Sequence, residues 1–69
     1  MEHELAAVTV LASSALMADG FSTLLMILGP QAGWEFAVRH NIAALFVTHA
    51  DNGFVSRSTP VFQAMAANE

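Results

Sequence analysis

Across residues 5–29 the chain carries a single charge, Asp19. A stretch this apolar has to be buried, either in protein or in lipid. An aspartate near the middle of a membrane span costs roughly 2.5 to 3.5 kcal/mol on insertion scales. Here it stands beside Gly20, with Ser13, Ser14, Ser22 and Thr23 close by in sequence. The first part, Val8-Thr9-Val10-Leu11, is short and β-branched, which suits a buried strand better than a membrane helix. The run is therefore read as a strand followed by a helix, with no transmembrane span.

Local signals divide the rest. Ser13 or Ser14 can cap a helix that runs to about Leu28, the serine oxygen accepting a free N–H of the first turn. Gly29 ends it by taking a left-handed conformation, and Pro30 starts a second helix that reaches about His40. In that second helix Trp34, Ala37 and Val38 are predicted to face inward, while Gln31, Glu35 and Arg39 form a polar stripe. Asn41 closes it, and residues 43–48 read as a second buried strand. Asp51-Asn52-Gly53 is a hairpin turn in which Asn and Gly supply positive φ, pairing residues 45–48 with 54–58. Thr59-Pro60 then reads as a cap followed by proline at the first helical position, opening a short helix with Val61, Phe62 and Met65 on one side. The order is β-α-α-β-β-α, one α+β unit over residues 1–69 with no repeat or linker.

Size turns this pattern into a problem of burial. Of 69 residues, 55% are hydrophobic and 12% charged, whereas a domain of about 60 residues buries only about 60% of its unfolded surface. Standing alone, such a chain leaves apolar surface in water, so it is expected to oligomerise, aggregate or stay loosely folded unless something covers it. There is no cysteine to staple it. A net charge of −4, with Arg39 and Arg57 unclustered, gives no footprint for nucleic acid. Met1-Glu2-His3-Glu4 is acidic where a secretory signal is basic, so the chain shows no signal peptide and its location stays unread.

Few residues can carry chemistry. His3, His40 and His49 are far apart without metal-ligand spacing, and no residue is assigned a catalytic role. Asp19 and Thr23, four residues apart, project from one helix face about 40° apart around the axis. Both are hard oxygen donors suited to Mg²⁺, which takes one or two protein ligands and completes its shell with water and substrate phosphate. The competing reading is local: Asp19 bonds within the first turns of the helix and Thr23 bonds back to the preceding turn.

Ala18-Asp19-Gly20-Phe21-Ser22-Thr23, following the strand and small polar turn of residues 8–14 and followed by Leu28-Gly29-Pro30, resembles the C-terminal part of the FAD:protein FMN transferases, the ApbE family. That family carries Ala-Asp-[Ala/Gly]-x-[Ser/Ala]-Thr at a helix start, an apolar helix and then Leu-Gly-Pro. Ala44-Leu45-Phe46-Val47 looks like its next strand, and residues 54–62 with Thr59-Pro60 look like its closing hairpin strand and terminal segment, so the likeness covers nearly the whole chain. Ser13 stands where the family often has proline. The resemblance implies the C-terminal part of an ApbE-like, T-fold-like α/β domain. It also implies that Asp19 and Thr23 hold Mg²⁺ against the pyrophosphate of FAD, the substrate, as FMN passes to a threonine of a target flavoprotein. Some relatives let water attack FAD instead.

The family's flavin-binding elements precede this segment, and its His-x-x-Asp-Pro motif is missing, since Glu4-Leu5-Ala6 follows His3. The chain is therefore expected to be inactive alone and to need the N-terminal portion of the enzyme, in a family often anchored in the periplasm as lipoproteins. The alternative is a non-catalytic interaction domain that covers its apolar faces as a homo-oligomer.

Overall fold

The computed structural model describes residues 5–67, so His3 and the acidic N-terminus lie outside the described residues. Strand β1 (Leu5–Leu11) leads to helix α1 (Ala15–Arg39), then strands β2 (Ala43–Ala50) and β3 (Gly53–Ser58) and helix α2 (Pro60–Ala67). The sheet is antiparallel in the order β1-β2-β3. β1 starts three residues before the β-branched run, because Leu5 and Ala7 find partners in Thr48 and Val47 across a bulge. The architecture is α+β.

The caps follow the sequence closely. Ser14 is the residue that starts α1, its hydroxyl accepting from the Met17 N–H at 3.1 Å. The two expected helices form one element bent sharply at Gly29, where φ is 91° and ψ 178°. That conformation is not the left-handed helical one; it belongs to an extended region open essentially only to glycine. Pro30 then begins the second arm. Asn41 ends it at φ 56°, the left-handed cap expected of asparagine. In the hairpin only Gly53 takes positive φ, at 132°, and Asn52 does not.

One face of the sheet carries Val10, Ala44 and Phe46, which pack with Leu25 and Ala37 of α1 and with Ile42. The inward face of the second arm is Gly33, Trp34 and Ala37 rather than the expected trio: Val38, one step beyond Ala37, turns outward at 41% exposure. Gly33 sets this geometry. A Cβ there would lie 2.8 Å from the Leu25 carbonyl oxygen and 3.3 Å from the Phe46 ring, so the two arms approach through a gap that only glycine leaves. Gly33→Ala is expected to lose about 2 kcal/mol of stability, overpacking outweighing alanine's better helix propensity. Urea unfolding followed by the fluorescence of Trp34 measures it; a variant as stable as the parent contradicts the close approach.

Thr59 joins β3 to α2. Its N–H donates to the Ala44 carbonyl at 2.9 Å and its own carbonyl accepts from Gln63 N–H to begin the helix. The hydroxyl replaces what the turned carbonyl no longer offers β2, accepting from Ala44 N–H at 3.0 Å and donating to the Ile42 carbonyl at 2.8 Å. It is fully buried. α2 rests against β2, with Val61 and Phe62 half-buried and Met65 44% exposed.

Much apolar surface stays outside. Leu16 is 83% exposed, Ile27 77% and Phe54 67%. Among the described residues no helix is long and apolar enough to cross a membrane. In a sheet of this order β1 and β3 each keep one edge unpaired within the described residues.

Candidate metal centre

The Ser14 cap fixes where α1 begins and therefore which way each side chain of its first arm points. Asp19 and Thr23 both fall on the exposed side of that arm. Thr23 Oγ1 donates to the Asp19 main-chain carbonyl at 2.9 Å, and Ser22 Oγ donates to the same oxygen at 2.9 Å. The local reading is right for Thr23, which does bond back one turn. It does not describe Asp19, where these bonds engage the carbonyl and not the carboxylate.

This arrangement is compatible with a cation. A hydroxyl whose proton is held by a carbonyl presents only lone pairs to the outside, so Thr23 is oriented as an acceptor. The carboxylate beside it supplies a full negative charge. Ser22 was not singled out by the sequence pattern; its place three residues after Asp19 is the signal that would have found it, since serine and threonine bond back three or four residues in helices.

Leu16 and Ile27 lie about one turn on either side of the pair and within about 40° of Thr23 around the axis. Asp19 and Thr23 thus sit in a band whose flanking residues are the most exposed large apolar side chains of the helix. Gly20, next to Asp19, leaves the backbone bare, since a Cβ there would meet nothing within 4 Å. An open cleft of about 340 Å³, lined by Val10, Leu11, Ser13, Ser14, Ala18 and Met65 among others, opens at the start of the same helix, and neither Asp19 nor Thr23 lines it.

Other polar side chains pack singly on aromatic rings. The His40 ring packs on Phe36 at 4.3 Å and the His49 ring on Phe54 at 4.8 Å. The Arg57 guanidinium lies 3.7 Å from the centre of the Trp34 ring, which meets Phe46 edge-on. Among the described residues no three His, Cys, Asp or Glu side chains come together as a metal-holding group. The pair therefore offers two ligands and leaves the others to water, to a substrate or to another part of a larger protein.

Comparison with known proteins adds to this geometry. The ApbE family model matches residues 1–46. The FAD:protein FMN transferase of Haemophilus influenzae is 40% identical over 65 residues, 94% of this chain and 19% of that protein. Its counterpart in Escherichia coli is 36% identical over 69 residues, all of this chain and 20% of that protein. The crystal structure of apo flavinyl transferase ApbE from Pseudomonas stutzeri superposes with a TM-score of 0.86 at 53% identity, covering 93% of this chain and 21% of that one. The chain spans about a fifth of the length of the curated relatives it matches.

Proposed function

The chain belongs to the ApbE family, and on that premise we propose that it is the C-terminal, metal-ligating part of a Mg²⁺-dependent FAD:protein FMN transferase, inactive until the rest of that fold is supplied. Asp19 and Thr23 are the metal ligands in this reading, and the observation that carries it is the Thr23 hydroxyl, whose proton is committed to the Asp19 carbonyl. The donor set fits Mg²⁺, which is satisfied by few protein ligands when phosphate oxygens complete its shell. When bound, the ion supplies charge neutralisation and polarisation at the pyrophosphate of FAD.

The chain's own residues have separable tasks. The Asp19 carboxylate contributes charge, and Thr23 contributes a neutral oxygen at fixed orientation. Ser22 helps hold the Asp19 carbonyl, which keeps this turn of the helix rigid. The exposed apolar band around the pair supports a covering surface, since a helix that is apolar on all sides belongs in an interior. The flavin pocket and the docking of a target flavoprotein, whose threonine receives FMN, belong to the complementary portion.

The test is reconstitution. The chain is mixed with the portion of the Pseudomonas stutzeri relative that precedes the matched segment, and AMP release from FAD and FMN attachment to a flavoprotein are followed with and without Mg²⁺. Turnover is expected only when both parts and the metal are present. Turnover by the chain alone contradicts the reading, and a stable homo-oligomer indifferent to FAD and Mg²⁺ supports the non-catalytic interaction domain instead.

A further inference from the structure

We propose that Asn52 is a site of spontaneous backbone modification in the folded protein, converting to a mixture of aspartate and isoaspartate. Asn52 is the second residue of the exposed two-residue loop, Asp51-Asn52, that joins the paired residues Ala50 and Gly53 at the tip of the β2–β3 hairpin. In the reaction the Gly53 main-chain nitrogen, giving its proton to water, attacks the side-chain carbonyl carbon of Asn52. A nitrogen–carbon bond forms, the bond to the side-chain amide nitrogen breaks, and ammonia leaves. Water then opens the resulting five-membered imide at one carbonyl or the other.

Three features favour this at Asn52. Gly53 has no side chain to obstruct the approach, and beyond its chain neighbours nothing described lies within 4 Å of where a Cβ would be. Residues 51–57 are exposed throughout, so the reacting atoms at the tip are open to water and no core residue has to move for them to meet it. The strand is also an edge, so motion at the tip disturbs one ladder only.

Asn41 is the internal control. It precedes the β-branched Ile42, which is buried and whose N–H is held by the Ala37 carbonyl at 2.8 Å. The nitrogen that would attack is therefore shielded inside the fold, whereas that of Gly53, although paired with Ala50 at the last rung of the ladder, is exposed and flanked by no side chain of its own. Conversion at Asn52 adds a negative charge beside Asp51, and the isoaspartate form inserts a methylene into the main chain of a loop whose length sets the strand register.

The test incubates the folded chain in mildly alkaline buffer, with native Trp34 fluorescence checked throughout. Peptide mapping scores the mass gained by exchange of an amide for an acid, and methyl transfer by an isoaspartyl methyltransferase scores the isoaspartate. The Asn52 peptide is expected to convert at least about tenfold faster than the Asn41 peptide, as an unhindered glycine nitrogen against a shielded one. Asn52→Ser is expected to abolish the methyl label in its peptide. Equal rates at the two asparagines, conversion confined to urea-unfolded chain, or a label unchanged in Asn52→Ser overturns the proposal.

Discussion

Asp19→Ala, assembled with the complementary portion of the fold, is expected to lower Mg²⁺-supported FAD turnover on the order of a hundredfold or more, the scale of removing one preorganised charged group from a reacting centre. Its fold is expected to survive, because the hydrogen bonds at this position are made to the main-chain carbonyl, which alanine retains. Exposed substitutions of this kind shift stability by about 0.5 kcal/mol or less, and alanine is the better helix former. A urea midpoint unchanged from the parent therefore belongs to the expected result. Thr23→Ser, which keeps the hydroxyl, is expected to retain most activity, whereas Thr23→Val raises the Mg²⁺ concentration needed. Mg²⁺ titrations of FMN transfer measure all three, and equal transfer by Asp19→Ala and the parent removes the metal assignment.

The largest effect on stability is expected at Thr59. Thr59→Val keeps the shape but leaves the Ala44 N–H and the Ile42 carbonyl without their partner in a buried place. Each such group costs about 1 to 3 kcal/mol, and loss of the helix cap, in which the Thr59 hydroxyl accepts from the Phe62 N–H at 3.4 Å, adds about 1 kcal/mol more. A chain of this size is held by roughly 0.05 to 0.15 kcal/mol per residue, so the variant is expected to lose most of its folded population. Thr59→Ser keeps the oxygen and is expected to cost about 1 kcal/mol for the buried methyl. Urea unfolding read through Trp34 and circular dichroism separates the two. A Thr59→Val chain within 1 kcal/mol of the parent would show that these bonds are replaced by water.

What the sequence revealed of this fold was whatever short-range chemistry decides. The break at Gly29-Pro30, the Asn41 cap and the Thr59-Pro60 start are each written in adjacent residues and are where the sequence places them, whereas the expected Asp51-Asn52-Gly53 turn is shorter by one residue because Gly53 pairs with Ala50 in the ladder. Contacts between distant residues were not legible. Leu5 and Ala7 join β1 only because β2 offers them a ladder, and Gly33 reads as a weak helix residue until Leu25 folds back against it. Thr59 looked like a cap, and its larger role in tying Ile42 and Ala44 needs the sheet to be present. At the candidate site the spacing put Asp19 and Thr23 on one face, while the shared acceptor of Ser22 and Thr23 depended on which rotamers the helix allows.

The sheet's two ladders differ sharply in how much chain freedom they consume. β2 and β3 close across Asp51 and Asn52, whereas β1 meets β2 only after the whole of α1, with Leu11 paired to Ala43. Loop-closure entropy grows with the logarithm of loop length, so for a flexible chain the second closure costs about 2 kcal/mol more than the first. The elbow at Gly29 recovers part of that by folding the connection back on itself. The hairpin is thus the inexpensive half of the sheet and β1 the half that depends on its surroundings, and the segment leading directly to Asp19 is the one whose order is most easily lent or withdrawn by whatever packs beside it.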